Sequence, residues 1–177
     1  MKQIIQILLK IFGTSMLIGL SACSTIGNTT TDPDQISIST SEIADFDLPA
    51  GYHADLSTKL MGYSVMAYSR GSGPSHLYLI QSEKESDGEK LAQVLDEVVV
   101  GSGDPQTRMT VIETRLVLVR GQETTLVISD CVNSEGLAYR QAAVAFQGNG
   151  GPALLVFSET NESWNQATVD TLLASIQ

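Results

Sequence analysis

The hydrophobic and polar positions along this chain divide it into a short apolar segment, a polar stretch and a long patterned region. The apolar segment, 11–20, follows Lys10 and is mostly aliphatic. The polar stretch, 24–44, is rich in Ser, Thr, Asn and Asp and has little apolar periodicity. From Phe46 onward, apolar residues recur with the spacings of strands and helices. The pattern therefore predicts one folded region behind a flexible polar spacer.

Two segments have the apolar spacing of amphipathic helices. In the first, 87–100, apolar residues lie at i, i+3, i+4 and i+7, and in the second, 163–176, they form one stripe. Each segment begins with a serine three residues before a Glu or Gln, which is the spacing of a capping box. The stripe residues are Leu91, Val94, Leu95 and Val98 in the first segment, and Val169, Leu172, Leu173 and Ile176 in the second.

Six short runs rich in apolar residues predict strands. Turn residues such as Gly, Asn and Pro separate most of them, and the last four are joined by loops too short for crossover helices. Those four are therefore expected to form antiparallel hairpins. Because each helix has one apolar face to bury, we predict an α+β domain, an antiparallel sheet of about six strands flanked by helices. The strands are expected at 61–70, 76–81, 116–119, 124–128, 139–146 and 153–157.

The sequence Leu20-Ser-Ala-Cys23 resembles the lipobox of bacterial lipoproteins. The resemblance implies cleavage between Ala22 and Cys23, and attachment of diacylglycerol, with fatty acids such as palmitate, to the sulfur of Cys23. Residues 1–22 are then a signal peptide, because a charged start, an apolar core and small residues precede the cut. An ordinary cleaved signal or an uncleaved membrane helix are the alternatives, although a spanning helix needs about 20 apolar residues.

The lipoprotein resemblance predicts three regions: signal peptide 1–22, lipidated Cys23 with a flexible tether to residue 45, and a single globular domain at 46–177. It also predicts an extracytoplasmic protein held to a cell membrane by lipid. Ser24 follows the cysteine, where an aspartate favours retention in the inner membrane. Its absence favours the outer membrane if the organism has one.

Composition narrows the classes of partner and cofactor. Removing residues 1–22 leaves 155 of 177 residues and takes away two lysines, so the formal net charge changes from −10 to −12. Such an acidic chain is a poor ligand for nucleic acid, whose phosphates need basic partners. Cys131 is then the one remaining thiol, interpreted as a small buried apolar residue. With no Cys/His cluster, we expect no metal and no cofactor.

The order of elements resembles that of the PsbP-like fold, an α/β/α sandwich found in photosystem accessory proteins, a Ran-binding factor and several bacterial lipoproteins. Phe46-Asp-Leu-Pro-Ala-Gly-Tyr52 and the C-terminal strand and helix carry the likeness, the latter as Ala153-Leu-Leu-Val-Phe-Ser158 followed by Leu172-Leu-Ala-Ser-Ile176. The resemblance implies binding or assembly roles and supplies no functional residues.

No catalytic motif accompanies the two histidines, His53 and His76. A general base needs a nucleophile or metal within hydrogen-bond reach, and no sequence motif supplies one. We therefore expect a non-catalytic domain that binds a protein or a small ligand at the cell envelope, with contacts near Tyr52, His53, Arg70 and His76. An envelope hydrolase with His53 or His76 as the base is the alternative, and it requires that histidine beside a carboxylate or hydroxyl in a concave pocket.

Overall fold

The computed structural model describes residues 29–60, 62–71, 73–84, 108–133 and 135–177. Cys23, Ala22 and the helix expected at 87–100 lie outside these residues. The described part contains the helices α1 (Pro33–Ser41) and α2 (Gln166–Ser175). Its strands are β1 (Thr29–Thr30), β2 (His53–Leu60), β3 (Tyr63–Ser69), β4 (His76–Ser82), β5 (Arg108–Val119), β6 (Gln122–Val132), β7 (Ala138–Gln147) and β8 (Pro152–Thr160).

All eight strands form one antiparallel sheet in the order β1-β2-β3-β4-β8-β7-β6-β5. The hairpins expected from β5 to β8 are confirmed, and β8 joins them to β4. The predicted number of six strands is wrong, because β1 and β2 were missed. In β2, His53, Asp55 and Lys59 interrupt the apolar pattern, and the strand lies next to the sheet edge, where polar side chains remain in water.

The predicted strand at 116–119 was also too short, because β5 begins at Arg108 rather than near Leu116. A register shift between Val111 and Glu113 places one extra residue in this strand. Such a bulge breaks the alternation of inward and outward side chains by which strands are recognised. The first half of β5 therefore lacked a readable period.

Both helices that the structure describes pack on the same face of the sheet. The predicted burial of the α2 stripe is confirmed, with Leu172 and Leu173 in the main apolar core. The helix begins at Gln166, where the Asn165 side chain caps it by accepting a hydrogen bond from the N–H of Ala167 at 2.9 Å. The predicted start at 163 was three residues early.

The polar stretch predicted as a tether up to residue 45 is ordered from Thr29 onward, so this prediction is wrong for its described part. Helix α1 buries Ile36, and Ile43 and Ala44 behind it also enter the core. Asp45 and Gln177 exchange two backbone hydrogen bonds of 3.2 and 2.8 Å. The domain therefore begins at least 17 residues before Phe46, because a few well-placed isoleucines suffice to dock a Ser/Thr-rich helix.

The opposite face of the sheet holds a second, smaller buried cluster of Ala143, Leu154 and Val156. The sandwich prediction requires a helix on each face of the sheet. The two described helices cover one face, and the other predicted helix, 87–100, lies outside the described residues. No helix of the described part is long and apolar enough to span a membrane.

Candidate functional site

The predicted contact residues lie at one end of the sheet but on its two different faces. The register aligns His53, Ser69, His76 and Ser158 directly opposite one another across β2, β3, β4 and β8. Directly opposed residues share a face, so both histidines lie on the side away from the described helices. Tyr52 and Arg70 lie on the helix side, around Glu159. The structure thus brings together Tyr52 with Arg70, and His53 with His76.

Glu159 is the centre of the helix-side group and is almost completely buried, with 2% of its surface exposed. Its Oε1 accepts a hydrogen bond from the Tyr52 hydroxyl at 2.6 Å, and its Oε2 accepts from the Arg70 Nη2 and the Ser75 Oγ, both at 2.7 Å. The Arg70 guanidinium also lies over the Tyr52 ring, 5.7 Å from its centroid. Four residues from three separate parts of the chain therefore hold one another in place.

This arrangement compensates the buried charge of Glu159. A buried carboxylate is tolerated when it is paired and hydrogen-bonded, and no described buried side-chain polar atom lacks a partner. Burial, reinforced by the hydrogen bond to Glu159, raises the pKa of Tyr52 far above its usual value. The phenol therefore stays protonated as a donor, and its location differs from the exposed position expected from the sequence.

His53 has a carboxylate and a hydroxyl nearby, but in a geometry that does not suit a proton relay. Its Nε2 lies 3.3 Å from Asp55 Oδ1 and 3.5 Å from Ser69 Oγ. In catalytic Ser–His–Asp groups the carboxylate and the hydroxyl contact different ring nitrogens, so that one orients the imidazole while the other receives the proton. Here one nitrogen makes both contacts, and 64% of the side chain is exposed.

His76 is half-buried on the same face, with its ring 5.7 Å from that of Tyr78. Burial lowers the pKa of His76, while the charge of Asp55 and a backbone hydrogen bond at Gly73 oppose this effect. Burial also raises the pKa of Tyr78 to about 12. Both rings are therefore neutral near pH 7, and His76 acts mainly as a packed aromatic group.

Cys131 is buried in the sheet, directly opposite Tyr139 on the neighbouring strand β7. Burial raises the pKa of its thiol to about 11, despite a hydrogen bond with Tyr139 that acts in the opposite direction. A thiol reacts as its thiolate, so this cysteine is poorly reactive near neutral pH. The interpretation of Cys131 as structural gains support from this environment. The described residues contain no group of three or more His, Cys, Asp or Glu side chains suited to a metal ion.

A cleft of about 390 Å³ lies at the other end of the sheet, where two hairpin turns meet. Arg120 bridges the turns, donating from Nη1 to the Gln147 carbonyl at 2.9 Å and from Nη2 to the Asn149 side-chain oxygen at 2.8 Å. The cleft is open and polar, and the candidate histidines do not line it. Its lining residues are Val119, Arg120, Gln122, Gln147, Gly148 and Asn149.

Sequence reasoning missed Glu159, the residue that organises this end of the sheet. Its partners Tyr52, Arg70 and Ser75 are 107, 89 and 84 residues away in the chain. The one available signal was a charge near the end of the otherwise apolar run 153–157, separated from it only by Ser158, because such a position is buried and a buried charge needs partners.

Comparison with known proteins identifies the fold of this chain but does not identify a family for it. No protein-family model matches the chain, and no curated protein matches it. Among solved structures, the solution structure of cyanobacterial PsbP (CyanoP) from Synechocystis sp. PCC 6803 matches with a TM-score of 0.56 and 14% sequence identity, covering 94% of this chain and 98% of that one. The chain therefore has a PsbP-like fold, as the order of its elements predicted.

Proposed function

We propose that the protein is a lipid-anchored domain of the cell envelope that binds a protein or a small ligand and carries out no catalysis. The observation that carries this proposal is that the polar groups at the histidine end serve the structure. Tyr52, Ser75 and Arg70 all bind Glu159, and His53 contacts both its neighbours through one nitrogen. An acid or base engaged in this way is poorly placed for proton transfer to a substrate.

The same groups make a pre-organised contact surface. Arg70 has 37% of its side chain exposed, although Glu159 and the Tyr52 ring hold its guanidinium from within. His53 is exposed at the same end of the sheet, on its other face, so the proposed contact surface is this end of the sheet. A cation fixed before binding loses less conformational entropy when a partner arrives, and a cation on an acidic molecule favours a partner that presents an anionic or carbonyl group.

The anchor is tested by the variant Cys23→Ala in cells supplied with a labelled fatty acid. We expect loss of the label and accumulation of the unprocessed precursor, because the sulfur of Cys23 is the site of lipid attachment in this proposal. Cys131→Ala is the matched control and should retain the label. Equal labelling of the Cys23→Ala variant and the parent chain would exclude lipidation at this residue.

The contact surface is tested with a photo-cross-linking amino acid at position 53 in the full-length protein within its own envelope. We expect one specific adduct from this position. Position 122, an exposed residue at the opposite end of the sheet, is the matched control and should give none. Cross-linking is preferable to Arg70→Ala, because that substitution also disturbs the buried Glu159. Equal adducts at both positions, or none at position 53, would refute contact at this surface.

An envelope hydrolase is the competing function, supported by the proximity of Asp55 and Ser69 to His53. It predicts ester or peptide hydrolysis that is lost in His53→Ala and Ser69→Ala. The binding proposal predicts that neither variant changes the rate of hydrolysis above that of buffer. Hydrolysis that both substitutions abolish would replace the preferred function with this one.

A further inference from the structure

Strands β6 and β7 separate from each other at the end of the sheet opposite the histidines. Strand β6 begins at Gln122 and β7 ends at Gln147, but the pairing between them extends only as far as Leu126 and Val144. The cleft of about 390 Å³ lies at these diverging ends, between the β5–β6 turn and the β7–β8 turn. The sheet therefore opens here into a space that no described strand fills.

This cleft is locally positive on a strongly acidic molecule. The chain has 20 Asp and Glu residues against 10 Lys and Arg residues, and its formal net charge is −10. Among the described residues that line the cleft, Arg120 is charged and none is Asp or Glu. The side chains of Gln122 and Gln147 also line it, and each amide has two N–H donors. A positive charge among hydrogen-bond donors is an environment that suits an anion.

The Arg120 guanidinium lacks a carboxylate partner within the described part of the chain. Its two contacts there are with neutral oxygens, the Gln147 carbonyl and the Asn149 side-chain amide. Because a guanidinium has five N–H groups, these contacts leave donors for a ligand. Three other arginines each form an ion pair with a carboxylate at 2.7–2.9 Å: Arg70, Arg115 and Arg140.

The neutral contacts hold the Arg120 side chain in place before a ligand binds. Asn149 is itself fixed by the segment around the end of α1. Its backbone N–H donates to the Ile43 carbonyl at 2.7 Å, and its Nδ2 donates to the Ser41 carbonyl at 3.1 Å. Since Nδ2 is engaged in this way, Oδ1 is free to accept from Arg120. A cation that is oriented in advance loses less conformational entropy on binding.

The backbone of Arg120 indicates that its side chain matters at this position. Its φ is 53° in the two-residue turn with Gly121, and of the described residues other than glycine it alone has positive φ. Turns of this type strongly favour Asn, Asp or Gly, because other residues are strained in this region. The preference for arginine here therefore comes from what its side chain does and not from the turn.

We propose that this cleft binds a small oxyanion, a carboxylate or a phosphate group, with Arg120 as its counter-charge. Bridging the two turns requires only a hydrogen-bond donor, because both acceptors are neutral, whereas the positive charge has no partner in the described structure. The planar guanidinium matches the paired oxygens of a carboxylate or a phosphate. The site lies at the opposite end of the sheet from Arg70 and His53, so it goes beyond the proposed function. A small oxyanion forms no protein adduct at position 122, and the two proposals can therefore fail separately.

Binding is measured by two-dimensional NMR titration of the full-length protein in detergent micelles. Sodium phosphate and sodium succinate are the two probes, at fixed pH and at an ionic strength held constant with sodium chloride. We expect saturable shifts of the amide signals of Gly121, Gln122 and Gly148, with a Kd of about 1 mM or below for at least one probe. Saturation by phosphate alone identifies a phosphate site, and saturation by succinate alone or by both probes identifies a site for carboxylates.

Two variants test the charge in the cleft. Arg120→Asn removes the guanidinium but keeps a residue that the turn favours, and Gln122→Glu leaves the turn unchanged and adds a negative charge. Each should weaken binding at least about tenfold, because the ligand loses or opposes a charge-assisted contact. Arg108→Asn is the matched control, since it removes the same charge from an exposed position at the far end of β5. It should leave the Kd unchanged.

Three results would each overturn the proposal. The first is the absence of saturable shifts at these amides with either probe up to about 50 mM. The second is unchanged binding in both Arg120→Asn and Gln122→Glu, in proteins whose spectra show an intact fold. The third is an equal loss of binding in Arg108→Asn and Arg120→Asn, because net charge and not the cleft would then determine binding.

Discussion

At the scale of single residues, Glu159 has more influence on this end of the molecule than either histidine. It is a buried charge that contacts residues from two separate segments, Tyr52 before β2 and Arg70 and Ser75 between β3 and β4, and each of those residues is fixed by it. The sequence analysis placed Tyr52 and Arg70 in one expected contact surface, together with His53 and His76. It could not predict the carboxylate between them, since no local pattern connects positions more than 80 residues apart.

Arg70→Ala should lower the free energy of unfolding by about 3 kcal/mol, because it leaves a buried carboxylate without its counter-charge. Adding Glu159→Gln should recover part of this loss, since a neutral amide needs no counter-charge. Urea unfolding of the two single variants, the double variant and the parent chain measures the coupling. Losses that simply add in the double variant would show that the two residues are energetically independent.

His76 should make the fold less stable in mildly acidic solution. Its pKa is lowered in the folded state by burial, so the folded protein binds fewer protons than the unfolded chain. This contribution is fully present above the unfolded pKa of about 6.5 and is lost as the pH falls through that value towards the lower, folded pKa.

Urea unfolding between about pH 7.5 and about pH 5.5 tests this effect. His76→Gln should flatten the decrease in the free energy of unfolding over this range. His53→Gln, at a largely exposed position, is the matched control. If the His76→Gln variant and the parent chain have the same pH dependence, the burial of this imidazole does not contribute to the free energy of unfolding.

At the scale of elements, apolar periodicity identified α2 but not α1. Helix α2 buries Val169, Leu172 and Leu173 on one stripe, which the 3.6-residue repeat reveals. Helix α1 buries mainly Ile36 among Ser and Thr residues, so it has too few apolar residues for a helical repeat to be recognised in the sequence. A local signal was nevertheless present: Asp32 caps the helix, and Pro33 occupies its first turn.

The docking of α1 predicts a contrast between two isoleucines on the same helix. Ile36→Ala should cost about 2–5 kcal/mol, as for other fully buried aliphatic residues. Ile38→Ala should change stability by less than about 0.5 kcal/mol, because Ile38 is exposed. Thermal or urea unfolding measures both variants. Equal and small losses would restore the interpretation of this segment as a tether.

At the scale of the whole molecule, the order of elements predicted the fold class better than the number of elements. Short loops between β5 and β8 required hairpins, and the structure has them. The pairing of β4 with β8 joins strands that are far apart in the chain. Sequence periodicity does not encode that partner choice, which follows from how the two halves of the sheet share one apolar core. The likeness to CyanoP supports the same fold at 14% identity.

The position of β1 restricts how far this domain can extend from a membrane. The first described strand begins at Thr29 on the outer side of β2, only six residues after Cys23. If Cys23 carries the lipid, six residues span at most about 20 Å. The β1 edge then stays close to the bilayer surface, while β5, seven strand spacings away, extends at most about 34 Å further. With such an anchor, a partner of this domain has to reside in the same membrane or approach its surface, because six residues are too few to carry the domain far from the bilayer.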